Sequence, residues 1–345
     1  MYVWVLKNRM YETKLLKEES KIFTNDFCPL IEVINLKIGR TEKTVDEVLE
    51  FYDNNIMSNY FIDFFQFGKN EYVKYDYSSV TFSENIESYN YLDDLLLKVT
   101  TTKRGIPVIS IKKAREWILN DSTISKIIIK LQEHNNKIAV RIEALLFVDF
   151  FPILNKTLRP EDYLFYDINE GNIIANVLDI DDIKATDFKY QMLVLHSPRK
   201  KMINNGEYEI CGFTKLIDNN LSKNYKNYGF TGVADYAGLK NNLPSSGGSG
   251  FGAALGMFYV GSKNKFFTIM NPDTKRGGRG YDLVLPEFFQ KEHLLNPDNN
   301  CLAFEFMKKT LLDRAKNGTF AQWNYITILR YLSEMKKIYK WYYHL

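Results

Sequence analysis

Cysteine is scarce in this chain of 345 residues: there are three, Cys28, Cys211 and Cys301, widely separated and odd in number. That argues against a disulfide framework and against a cysteine-based zinc site. Long apolar runs are missing too. The longest stretches fall far short of the roughly 18 residues needed to span a bilayer. Nor does one sign of charge dominate. Lys+Arg total 45 and Asp+Glu 42, a net charge of +3. Such balance gives no support for a nucleic-acid coat protein or a polybasic membrane binder. The opening Met1-Tyr-Val-Trp-Val-Leu6 lacks a basic n-region, so no signal peptide is expected and the expected location is cytoplasmic.

The familiar catalytic signatures are also lacking. There is no GxxxxGK[ST], no kinase set, and no HExxH or paired-histidine spacing. A Ser nucleophile elbow with strand–helix context is absent. Gly248-Ser-Gly-Phe-Gly-Ala253 superficially matches a dinucleotide fingerprint. It comes after a polar loop and precedes a strand-like run, whereas the fingerprint needs a strand before and a helix after. The expectation is a mobile flap or connector.

What is present is an ordinary globular composition, 45% apolar and 25% charged, over a length that suits about two domains or one α/β barrel. Eight apolar runs read as strands: Tyr2–Leu6, Pro29–Ile34, Tyr60–Phe65, Ile106–Ile111, Lys137–Ile142, Tyr163–Ile168, Gln191–Leu195 and Gly232–Tyr236. Helical periodicity falls between many of them, at Arg9–Ser20, Thr44–Asn54, Asn90–Thr100, Ser122–Asn135 and Asn172–Leu178. The runs are continuously apolar, which suits strands covered on both faces and hence a parallel sheet. Eight such units predict a (β/α)8-barrel-like α/β fold; the doubly wound open sheet is the rival. Ala254–Val260 and Lys265–Met270 read as a hairpin that decorates or completes the barrel. The expected division is a barrel-like domain over 1–285, with a glycine-rich loop and hairpin insertion at 241–281, and a helical section over 286–345. Its strongest helices are expected at 299–316 and 320–340, parted by Gly318. Residues 301–345 carry eight Lys/Arg against three Asp/Glu, a +5 segment suited to docking an acidic partner.

Charged residues interrupt the strand runs at comparable places. A carboxylate or guanidinium within an apolar run costs several kcal/mol unless paired. Glu32, Asp63, Arg141, Glu143, Asp167 and Asp235 are therefore the candidate catalytic residues at one polar centre, with His196 at its edge as an acid or base near neutral pH. Lys7, Arg9 and Arg199 are the candidates for holding an anionic substrate or cofactor group. Three readings are open: a ligand site, an internal salt-bridge layer with no substrate, or solvent-facing residues. Glu32, Asp63, Glu143, Asp167 and Asp235 also offer oxygen ligands for Mg²⁺, a hard cation. Arg276-Gly-Gly-Arg-Gly280 reads as a solvated loop, with phosphate or RNA backbone as its alternative ligand.

The opening Tyr2-Val-Trp-Val-Leu-Lys7-Asn-Arg-Met-Tyr-Glu12-Thr-Lys-Leu-Leu16, with Cys28-Pro-Leu-Ile-Glu32-Val, resembles the start of the beta protein family, which is named for a phage protein and includes bacterial relatives. Gly229-Phe-Thr-Gly-Val-Ala-Asp235-Tyr-Ala and the run Gly252–Val260 resemble later segments of that family. Gly318–Trp323 resembles its late Thr-x-Trp region, except that Asn324 stands where the family pattern has arginine. The likeness covers the first 35 residues and parts of 229–330. It implies a role in phage–host conflict, as a defence-associated component with a protein partner, and it implies no assigned reaction. It also singles out Lys7, Glu12, Glu32 and Asp235. The residues themselves suggest a different class: a hydrolase of a phosphate ester, nucleotide or nucleic acid, with Mg²⁺ as an optional cofactor.

Overall fold

Apolar runs bounded by turns become strands here because helices cover their outer faces and side chains fill the space between them. A computed structural model describes residues 1–66, 90–113, 120–243 and 252–342. Its strands in chain order are β1 (Tyr2–Lys7), β2 (Phe27–Val33), β3 (Lys37–Ile38), β4 (Thr41–Glu42), β5 (Tyr60–Phe64), β6 (Gly105–Ile111), β7 (Ala139–Glu143), β8 (Tyr163–Asn169), β9 (Gln191–His196), β10 (Cys211–Phe213), β11 (Gly232–Asp235), β12 (Ala254–Val260) and β13 (Lys265–Asn271). Eight of them close into a parallel barrel in the order β1-β11-β9-β8-β7-β6-β5-β2. Each of the eight apolar runs supplies one barrel strand, so the fold is the expected (β/α)8-like barrel and not the open sheet. β1 closes the ring by pairing with both β2 and β11.

The spacers form helices for local reasons. Thr44 and Glu47 make a reciprocal capping box that starts Val45–Asn55, whose Val48, Leu49 and Tyr52 are buried. Asn120 accepts the Thr123 N–H at 2.9 Å and starts Asp121–His134, whose Ile124, Ile127, Ile128 and Leu131 are buried. Phe147–Thr157 is a helix that the sequence shows only as an apolar stretch.

Strand register sorts side chains by face, because neighbours in a parallel ladder point the same way and successive residues alternate. The Phe61 ring lies 5.0 Å from Tyr163 and 5.1 Å from Phe165, although β5 and β8 are not neighbours in the sheet. These rings therefore fill the barrel interior. Register extends the inward face to Val3, Val5 and Lys7 on β1 and to Leu30 and Glu32 on β2. The opposite face carries Tyr2 and Trp4, with Trp4 stacked 6.0 Å from Phe23.

The contacts divide the chain into two compact units, one of Met1–His196 with Leu221–Asp235, the other of Ser197–Asn220 with Tyr236–Leu345. The hairpin expected within the barrel domain thus belongs to the second unit. It pairs with β10 as a three-stranded sheet, order β10-β13-β12. The helix Phe320–Tyr342 lies on β12, where Thr327 Oγ1 donates to Met257 O at 3.1 Å and Arg330 Nε to Tyr259 O at 2.9 Å. The expected 299–316 helix is short and irregular: an α-turn Leu302–Phe306 passes into a π-turn Met307–Leu311 and a 3-10 turn Leu312–Arg314. Gly318 comes next at φ +89°, a left-handed conformation, and a Cβ there would lie 2.9 Å from Trp323 Nε1.

Residues 244–251, which hold most of the glycine-rich loop, lie outside the described residues. The apparent dinucleotide fingerprint leads into strand β12, not into a helix. No helix among the described residues is long and apolar enough to cross a membrane.

Candidate functional site

Alternation brings five of the expected residues to the inner face near the strands' C-terminal ends, the end where barrels of this kind carry function. Lys7 Nζ lies 2.6 Å from Glu32 Oε2. Arg141 spans the interior: Nη1 is 2.6 Å from Glu32 Oε1 and 3.0 Å from Asp63 Oδ2, and Nη2 is 2.7 Å from Asp167 Oδ2. Its Nε also donates to Asp167 Oδ2 at 2.8 Å. Asp167 Oδ1 accepts the Asn169 N–H, and Asp63 Oδ2 accepts the Ser110 hydroxyl at 2.8 Å. All five charged residues are buried, Glu32 and Asp63 completely. Charges this far from water persist only when paired and hydrogen-bonded.

The electrostatics reflect that geometry. Burial opposes ionisation of Glu32, but Lys7, Arg141 and Lys112, with the hydrogen bond from Lys7, outweigh it and hold the carboxyl well below the usual range. Burial dominates at Lys7. It pushes the ammonium down to about 8 despite the attraction of Glu32. Glu12, on the helix Met10–Glu18 just after β1, is raised by burial and pulled back by Arg9 and Lys7. Arg9 Nε stands 3.5 Å from Glu12 Oε2, so Arg9 serves a pair beside the layer. Glu143 shares Arg141's face two residues further along β7 and accepts the Lys113 N–H at 2.8 Å.

Three groups missed in the sequence complete the layer. Ser110 sits inside the run that forms β6, and its carbonyl accepts Gln66 Nε2 at 3.0 Å. Lys112 comes immediately after β6, with Nζ 4.2 Å from the Phe65 ring centroid. Their signal was their place at strand ends, which a search for acids and arginines within runs passes over. Among the described residues, Asp63 Oδ1 and Gln66 Oε1 are buried without a hydrogen-bond partner. Lys112, 6% exposed, has no ion pair there.

Three expected members stand elsewhere. Asp235 and His196 are register partners, and Asp235 is also paired with Trp4, so both lie on the outward face. Tyr2 Oη donates to Asp235 Oδ1 at 2.8 Å. On β11 the inward positions are Gly232 and Ala234; a one-residue difference in alternation turns Asp235 away from the charge layer. Arg199 belongs to the second unit, where its guanidinium donates to Asn205 Oδ1 at 2.9 Å and to Tyr208 Oη at 3.2 Å.

The acidic set does not fit Mg²⁺. Among the described residues no three or more His, Cys, Asp or Glu side chains are placed to hold a metal. Glu32, Asp63 and Asp167 converge on the Arg141 guanidinium, which takes the position a cation would need. The Arg276 loop is likewise occupied internally, by an ion pair with Asp282. No protein-family model and no curated protein matches this chain.

Proposed function

We propose that the C-terminal end of the barrel binds a small phosphorylated polyol, a sugar phosphate or nucleotide, and that the protein works in phage–host conflict as a defence-associated component. The setting rests on the resemblance of the chain's opening and of its 229–237 segment to the beta protein family. The +5 C-terminal segment supports an acidic protein partner in the same system.

One observation carries the ligand reading. Most of the layer is satisfied internally, yet Asp63 Oδ1 and Gln66 Oε1 are buried with no hydrogen-bond partner among the described residues, and the Lys112 ammonium beside them rests on the Phe65 ring with no ion pair there. A buried polar group left unmade costs about 1–3 kcal/mol, so a ligand that completes it gains that much. Two acceptors suit hydroxyl donors, and the ammonium suits a phosphate. A purely structural salt-bridge layer has no use for the two unpaired acceptors.

Hydrolysis of a phosphate ester is the second reading. It is favoured by the carboxylate of Asp63 and the ammonium of Lys112 near neighbouring strand ends: a carboxylate orients water while a cation takes up phosphoryl charge.

Native mass spectrometry of the purified full-length protein tests the ligand reading, before and after adding nucleotides and sugar phosphates. A retained phosphorylated adduct that is lost in Asp63→Asn and in Lys112→Gln supports it. No adduct with any of them leaves the ion-pair layer as a structural device.

A further inference from the structure

The second unit contains a cavity of about 610 Å³ between the β12–β13 turn, the loop after the helix Glu292–Leu295 and the helix Phe320–Tyr342. That volume is within the range of small-molecule sites. Its apolar wall is Val260, Leu294, Pro297 and Ile338. Its charged wall is Arg330, Glu334 and Lys337, which with Ile338 recur at four, seven and eight residues and so share one helix face.

The charges are not equivalent. Glu334 is consumed: Oε2 accepts the Gly261 N–H at 3.1 Å, while Oε1 is 3.1 Å from Lys337 Nζ and 3.4 Å from Arg330 Nη1. The approach of the turn is close enough that a Cβ on Gly261 would meet Glu334 Oε2 at 3.0 Å. Arg330 is 5% exposed and anchored, with Nε on Tyr259 O and the guanidinium 5.8 Å from the Phe258 ring. Its Nη2 makes no hydrogen bond among the described residues, and Lys337 keeps two donors beyond Glu334. The opposing acid, Asp298, is exposed and screened by solvent. An anchored, buried guanidinium and an exposed ammonium therefore face an apolar wall.

We propose that this cavity is a second ligand site, independent of the barrel, for a small organic anion with an apolar body, its anionic head on Arg330 and Lys337 and its body against Val260, Leu294 and Ile338. Carboxylate and phosphate heads share the chemistry, since both accept from a guanidinium fork.

Calorimetric titration of the full-length protein with octanoate, hexyl phosphate and octanol tests it. At least one of the two anions should bind tenfold or more tightly than octanol, the better one identifying the head. Lys337→Gln should weaken that anion several-fold. Ile338→Trp, which fills a half-exposed position on the wall, should abolish binding with the melting temperature held near wild type. Arg330→Lys keeps the charge but loses the fork, and should weaken binding while the fold survives. Equal binding of octanol and both anions, absence of binding by either anion, or undiminished binding in a folded Ile338→Trp protein would overturn the proposal.

Discussion

Arg141 Nη1 lies 2.6 Å from Glu32 Oε1, although β6 and β5 stand between their strands in the sheet. A contact of that kind crosses the barrel's interior. It ties strands that share no backbone hydrogen bonds.

Removing that guanidinium should be costly. Arg141→Ala leaves Glu32, Asp63 and Asp167 converging on an empty position, and breaking a buried ion pair from one side costs about 3–5 kcal/mol. Urea denaturation should show a matching drop in midpoint with little change in slope. A loss under about 1 kcal/mol, the range of exposed ion pairs, would mean that the layer is wetter than its burial indicates.

Stability should depend on pH at both ends of the range. Glu32 is held well below the carboxylate value of about 4.3, so its contribution is complete above that pH and is lost as pH falls through its folded value. Lys7 is pushed down to about 8, below its ordinary value, so the unfolded chain binds more protons above that pH. Stability attributable to Lys7 should therefore rise from about pH 8 to about pH 10.4. Melting temperatures of wild type and Lys7→Met from acid to about pH 10.5 separate the two effects. The alkaline rise should be absent from the variant.

Two glycines with different surroundings give an internal control on the second unit. A Cβ on Gly256 would sit 2.2 Å from Phe288 Cε2 and 2.8 Å from Trp323 Cζ3, whereas one on Gly206 would meet only Ala253 Cβ at 3.8 Å. Gly256→Ala should cost about 1–3 kcal/mol by overpacking. Gly206→Ala should stay within about 0.5 kcal/mol. Thermal denaturation of both reads the difference.

The barrel was legible because its strands are eight short continuous apolar runs with helical spacers, the pattern of parallel strands covered on both faces. The division into units was not. The β12–β13 hairpin reads as a hairpin from its own residues, but its third partner, Cys211–Phe213, is too short to show a period. The charge layer was half legible. A charge in an apolar run announces burial, and Lys7, Glu32, Asp63, Arg141 and Asp167 did come together. Which face it takes depends on register with the next strand, and sequence carries little of that for Asp235 and His196. Ser110, Gln66 and Lys112 gave no such announcement, being neutral or just outside the runs.

The most direct measurement is a calorimetric titration of the full-length protein with ribose 5-phosphate and with nucleoside mono- and diphosphates, repeated on Asp63→Asn and Lys112→Gln. A ligand hydrogen bond to a charged group is worth about 1.5–3 kcal/mol. At least one phosphorylated polyol should therefore bind wild type, and each variant, compared at a temperature where it is shown to be folded, should weaken it by about tenfold or more. Absence of binding by all of them, or equal affinity in both folded variants, would contradict a ligand site at the barrel's C-terminal end.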